Sequence, residues 1–190
     1  YRRALNLKKC AEIICENYNG KFPDSEKELL NLPGIGSYTA AAIISIAFDK
    51  PAIVIDGNIQ RITSRLYEIK EDLKKSKSKI YEKLEKIISK KRPGDFAQAL
   101  MDLGSTICKP VNPKCNSCPL LKYCLAHKNN TFKFIPLKTK KLNKVIKKGY
   151  LYIGITTEEK IILIKRPKKG LLGGTICPPS SDWEQNEFPI

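Results

Sequence analysis

Cys108, Cys115, Cys118 and Cys124 fall within one short stretch with the spacing C-x6-C-x2-C-x5-C. Four thiolates so close along a chain can surround a [4Fe–4S] cluster or a tetrahedral Zn²⁺. A zinc ribbon ordinarily has two C-x2-C knuckles set further apart, and this chain has one. The other three of the seven cysteines, Cys10, Cys15 and Cys177, are isolated. No apolar run of the signal-peptide kind follows Tyr1-Arg2-Arg3-Ala4-Leu5-Asn6, so we expect a metal site in a reducing compartment and no disulfide framework. A second chemical feature is Leu32-Pro33-Gly34-Ile35-Gly36-Ser37. Its two glycines let backbone N–H groups approach an anion at the start of the following helix, where the helix dipole favours negative charge. The competing reading is an ordinary interhelical corner, and the leading Leu-Pro and the apolar second helix weigh against it. The third feature is Asp56-Gly57-Asn58, whose carboxylate on local pattern alone is a helix N-cap.

Charge narrows the partner. The 190 residues hold 35 Lys plus Arg against 19 Asp plus Glu, a formal charge of +16, with a pI near 9.5. That balance suits a nucleic-acid phosphate backbone. At 42% hydrophobic residues, the chain is no disordered basic tail. No apolar run approaches the ~18–20 residues a membrane span needs, so we expect no membrane partner. The chain has no starting Met and ends abruptly at Ile190, and we expect a fragment of something longer.

The elements that position these residues are mainly helical. Ala4, Leu7, Ala11, Ile14 and Tyr18 recur at helical spacing, and Asn19-Gly20 closes that helix. Ser25 to Glu28 reads as a capping box. Ser37 to Phe48, apolar nearly all round, predicts a buried helix. Ile59, Ile62 and Leu66 mark another, and Ile80, Leu84, Ile87 and Ile88 a further one. Pro93-Gly94-Asp95 opens a helix carrying Phe96, Leu100 and Leu103. From Lys128 the chain is Lys-rich and without acids, which predicts a linker over 128–147. Strands are then expected at Tyr150–Ile155 and Lys160–Ile164. Forty-odd residues after the linker should not close a core, leaving Trp183 and Phe188 partly exposed.

Gly34-x-Gly36 between two helices resembles a helix-hairpin-helix motif, a sequence-independent binder of the DNA backbone. The hairpin, an Asp a short way downstream and the C-x6-C-x2-C-x5-C set, in that order over about residues 1–130, resemble the endonuclease III superfamily of DNA glycosylases. Bifunctional members place a Lys nucleophile after Gly-x-Gly-x; here Tyr38 stands there, and a phenol forms no Schiff base. Ile55-Asp56-Gly57-Asn58, Tyr1-x-Arg3-Ala4-x-Asn6-Leu7 and Met101-Asp102-Leu103-Gly104 are similar instead to the MutY-type adenine DNA glycosylases. Residues 148–180, with Gly170-Leu171-Leu172-Gly173-Gly174, look like the opening of the Nudix-like domain of that family.

The resemblance implies a mainly α glycosylase bundle over 1–127, with an iron–sulfur loop at 108–124. A truncated α+β Nudix-like domain would follow over 148–190. It implies a [4Fe–4S] cluster in preference to zinc. The partner implied is double-stranded DNA with adenine opposite 8-oxoguanine or guanine, with the flipped base held between two helical subdomains. Asp56 would be the catalytic carboxylate, Asn58 would position it or a water, and Tyr38 would buttress the sugar. Leu32, Pro33, Gly34, Ile35, Gly36 and Ser37 would meet DNA. Lys109 and Lys114 lie inside the loop closed by Cys108 and Cys115, which a metal should hold rigid with both amines toward DNA phosphates; the competing reading is a pair of solvated Lys. The family's general-acid Glu would lie upstream of Tyr1, so little activity is expected from this chain alone. The implied protein is a monomer in the cytoplasm, nucleoid-associated if bacterial. The readings set against it are a non-catalytic DNA-binding module with structural zinc and a glycosylase/lyase, the latter opposed by Tyr38.

Overall fold

The computed structural model describes residues 1–137, 139 and 145–185. The chain divides into two units, Arg2–Thr139 and Lys140–Ile190. The first is helical, with α1 (Arg2–Tyr18), α2 (Glu26–Leu30), α3 (Ser37–Ala42), α4 (Gly57–Leu66), α5 (Lys77–Glu85), α6 (Pro93–Thr106) and α7 (Leu125–Lys128).

Helix α1 ends as expected. Asn19 and Gly20 turn left-handed, with φ of 52° and 76°, and the Gly20 amide reaches back six residues to the Ile14 carbonyl at 3.0 Å, satisfying one of the helix's last carbonyls. Its inward face differs from the expected stripe. Leu7 is 72% exposed while Cys10 and Ile14 are buried. The reason is the hairpin: the Asn6 side chain lies against Gly34, where an added Cβ would come within 2.9 Å of Asn6 Cβ. Asn6, Cys10 and Ile14 thus share the inward face, and Leu7 does not. Ser25 caps α2 by accepting from the Glu28 amide, and its hydroxyl donates to the Glu28 carboxylate.

The helix expected from Ser37 to Phe48 is α only to Ala42 and continues as a π turn over Ile43–Ala47. It is buried on one side only, since Ile46 is 44% exposed. Helix α6 crosses this turn at Gly94, where a Cβ would stand 2.7 Å from the Ser45 carbonyl oxygen. At its other end α6 crosses Asn58 at Gly104, with 2.5 Å left for a Cβ. Glycine is required at both crossings by close approach, not by φ.

Two apolar cores result. One gathers Val54, Ile59, Ile62, Ile80, Leu84, Ala97 and Leu100, with Ala41. The other gathers Cys10, Ile14, Leu29, Leu32 and Ile44, with Ala40. The neighbours Ala40 and Ala41 thus place α3 in both.

The basic stretch from Lys128 does not begin as a linker. Ile135 is 3% exposed, and the Leu73 amide donates to the Leu137 carbonyl at 3.1 Å. Thr131 and Asn129 donate to Glu68 at 2.8 and 2.7 Å, so this stretch packs on the helical unit through buried apolar and satisfied polar groups. Expected linker residues 138 and 140–144 lie outside the described residues, as does Phe188.

The second unit holds two short antiparallel ladders. β1 (Lys147–Lys148) pairs with β4 (Glu184–Gln185), and β2 (Ile164–Lys165) with β3 (Ile176–Cys177). The longer strands expected at 150–155 and 160–164 are reduced to a hairpin around Thr157–Glu159. It is held by Thr156 N–H to Lys160 O and Ile162 N–H to Gly154 O, each 2.8 Å. None of the described residues from 145 to 185 is buried, and Trp183 is 48% exposed. No helix among the described residues is long and apolar enough to cross a membrane.

Candidate functional site

Asp56 is the N-cap of α4: its Oδ1 accepts from the Ile59 amide at 2.7 Å. This fixes the rotamer of a half-buried carboxylate and leaves Oδ2 for another partner. Immediately before it, Ile55 shares a hollow of about 560 Å³ with Ser37 and Tyr38 of the hairpin and Tyr81 of α5. A second hollow, about 370 Å³, again has Ser37 and Ile55 in its wall. The fold therefore brings the hairpin and the approach to Asp56 together, from positions far apart in sequence. The Tyr38 hydroxyl donates to Met101 Sδ at 3.8 Å, which ties the phenol to α6. Asn58 is engaged away from the hollow: its Oδ1 accepts from Arg61 Nη2 at 2.9 Å, and its Cβ packs on Gly104.

The hairpin divides into anchors and an open face. Leu32, expected to meet DNA, is 3% exposed; its side chain belongs to the second core and anchors the turn from inside. Ile35 also packs against that core. Gly34, Gly36, Ser37 and Tyr38 are exposed. Gly34 has φ +82° and is needed both for that backbone and for its contact with Asn6. Gly36 is ordinary extended backbone at φ −102°, capping α3, and nothing within 4 Å would meet a Cβ there.

The four cysteines, all half-buried, line one small cavity together with Arg65, Pro113, His127 and Phe132. Burial, followed by the charges of Cys108 and Cys124, pushes the Cys115 thiol up, and burial pushes up Cys124. Thiolates crowded in this way need a cation among them, so the donor set fits a metal group. Among the described residues no three Cys, His, Asp or Glu side chains converge closely enough to grip a single ion. The four thiols stand around this one small cavity.

Two arginines that sequence reasoning missed organise this region. Arg61 donates through Nε to the Cys108 carbonyl (2.7 Å) and through Nη2 to the Gly104 carbonyl (2.7 Å) as well as to Asn58. Desolvation pulls its pKa down, against the opposing charges of Cys108 and Asp56. Arg65 grips the Lys109 and Pro110 carbonyls at 2.7 and 3.1 Å, and the Lys114 amide bonds the Ile107 carbonyl at 2.9 Å. Protein contacts thus brace the loop that the metal was expected to hold. Lys114 is exposed and Lys109 half-buried. The available signal was the spacing of Asn58, Arg61 and Arg65, three and four apart, which puts them on one face of α4.

Residues 17–46 match the family model of the helix-hairpin-helix motif. The chain is 37% identical over 179 residues to the adenine DNA glycosylase of Buchnera aphidicola subsp. Baizongia pistaciae, covering 94% of this chain and 51% of the relative. The adenine DNA glycosylase of Buchnera aphidicola subsp. Schizaphis graminum is 37% identical over 184 residues, covering 96% of this chain and 53% of the relative. The chain thus spans about half the length of the curated relatives it matches. A solved non-covalent endonuclease III–DNA complex superposes with a TM-score of 0.57 at 32% identity, over 68% of this chain and 59% of that one. This chain belongs to the MutY-type helix-hairpin-helix DNA glycosylases.

Proposed function

We propose that the protein acts in base-excision DNA repair, hydrolysing the N-glycosidic bond of adenine mispaired with 8-oxoguanine or guanine in duplex DNA. The observation that carries this reading is the meeting of the hairpin and the segment that leads to the carboxylate: Ser37, Tyr38 and Ile55 line one hollow, and the next residue, Asp56, is fixed as the N-cap of α4. The open N–H groups at Gly36 and Ser37 take a DNA phosphate, as the endonuclease III likeness supports. Holding the backbone there lets the adenine leave the stack, at a cost of a few kcal/mol. As the glycosidic bond breaks, positive charge builds on the sugar. The free oxygen of Asp56 stabilises that charge or attacks C1′. Tyr38, tethered to Met101, supports the sugar. Asn58 acts through Arg61, holding the start of α4 in place, in preference to touching Asp56. Cys108, Cys115, Cys118 and Cys124 hold a [4Fe–4S] cluster, which pins the loop carrying Lys109 and Lys114. The unit after residue 140 supplies the opening of a Nudix-like domain, a reading supported by relatives that align over nearly the whole chain.

The decisive test is Asp56→Asn in the full-length protein. Asn keeps the size and can still cap α4 through its side-chain oxygen, so melting should barely change. Single-turnover release of adenine opposite 8-oxoguanine should fall by orders of magnitude, with duplex binding and iron content unchanged. Near-normal release would remove Asp56 from the chemistry. Charge reversal at Lys109 and Lys114 should flatten the salt dependence of binding by a log–log slope of about 1 per lost phosphate contact.

A further inference from the structure

Arg65 is 3% exposed in the last turn of α4, and its guanidinium is shared between two distant segments. Nε donates to the Ile135 carbonyl at 2.9 Å. Nη1 donates to the Lys109 carbonyl at 2.7 Å and to Cys108 Sγ at 3.4 Å, and Nη2 to the Pro110 carbonyl at 3.1 Å. The Arg65 carbonyl lies 3.6 Å from Cys124 Sγ. One residue therefore touches the first and the last of the four cysteines and ties both to the stretch that follows them.

The charge balance of this side chain is incomplete. A buried guanidinium needs its donors met and its charge countered. Four of its five N–H groups find acceptors among the described residues, each a neutral carbonyl or the Cys108 sulfur, and no carboxylate is among them. A metal-bound thiolate at Cys108 would be the missing anion, and a charge-assisted N–H···S contact is the stronger for it. A fixed donor on a ligand sulfur holds the ligand in its metal-binding orientation and raises a cluster's potential by stabilising the more negative, reduced state.

We propose that Arg65 is a positioning residue for the metal group: counter-charge to the Cys108 thiolate and clamp between the cysteine loop and Ile135. This rests on the reading that the four thiolates hold a cluster. Lys in its place keeps the charge but cannot fork across Cys108 and Ile135; Met keeps the bulk and loses both. In the full-length protein, Arg65→Lys and Arg65→Met should lose metal to excess chelator faster than wild type, on the order of ten-fold for Met and less for Lys. The cluster potential should shift downward in both variants, a readout that mere weakening of the fold does not move. Where Arg65→Met does not fold, Arg65→Lys decides alone. Metal loss within two-fold of wild type and an unchanged potential overturn the proposal while leaving the cluster reading standing. Wild-type protein that holds zinc overturns the cluster reading, and the rate of zinc loss then judges Arg65. Wild-type protein with no metal defeats both.

Discussion

The two units of this chain use similar apolar side chains to opposite effect. In the helical unit Leu29, Ile59 and Ile80 are at most 1% exposed. In the strand unit Leu151, Ile153, Ile155, Ile161, Ile162, Leu163 and Ile164 are each 45% exposed or more. The difference is geometric. A helix offers one apolar stripe that its neighbour can cover after a short turn, so local sequence is enough to pair α2 with α3. A two-residue ladder offers a face that only a further sheet or helix can cover. Apolar composition therefore does not report stability; the available partner surface does.

The largest effect expected from that contrast is at Leu29. Leu29→Ala should destabilise the helical unit by about 2–5 kcal/mol, while Ile162→Ala in the strand unit should change the main melting transition by less than about 0.5 kcal/mol. Equal effects in a thermal or urea melt would erase the distinction between the units. Gly104→Ala comes next. Its methyl would stand 2.5 Å from Asn58 Cβ, and the forced separation of α4 and α6 should cost about 1–3 kcal/mol. The two hairpin glycines sharpen the comparison within the helical unit. Gly34→Ala forces a side chain into left-handed backbone and should cost roughly 1–2 kcal/mol. Gly36→Ala has ordinary backbone and open space, so its melt should stay near wild type while duplex affinity falls. A Gly36 variant that binds DNA normally would take the phosphate away from that amide.

The smallest effect concerns Glu68. Hydrogen bonds from Thr131 and Asn129 hold its carboxyl below the usual carboxylate range. A depressed folded-state value means stability present above the ordinary carboxylate pKa of about 4 and lost as pH falls through the lower folded value. Glu68→Gln should lower the melting temperature slightly at neutral pH, and the gap should close in acid. A pH-independent gap would assign the effect to packing.

Much of the helical unit was legible because its signals are local. Asn19-Gly20 closes α1, Ser25 and Asp56 cap their helices, and Pro93 opens α6, each through one residue's backbone chemistry. What escaped was set by tertiary contact. Periodicity in α1 suggested Leu7 as an inward residue, but the inward face holds Asn6, which lies against Gly34. Leu32 belongs to the motif in sequence and to the core in space. The π turn at Ile43–Ala47 accompanies the passage of Gly94, which no local pattern announces. The four cysteines stood out by residue type and spacing, whereas Asp56 read locally as a helix cap and Tyr38 was singled out only by the family resemblance. Arg61 and Arg65 were missed despite their helical spacing, because a single Arg on a helix ordinarily reads as solvated, and only the fold shows these two turned inward to carbonyls and sulfur.

The placement of α3 in both cores has a kinetic meaning. With Ala40 in one core and Ala41 in the other, this segment cannot fray without opening both. Its amides should exchange with solvent only through unfolding of the whole helical unit, not through a local excursion. If the turn before α3 takes a DNA phosphate as proposed, it is already ordered before the duplex arrives, so binding forfeits little backbone entropy at the contact.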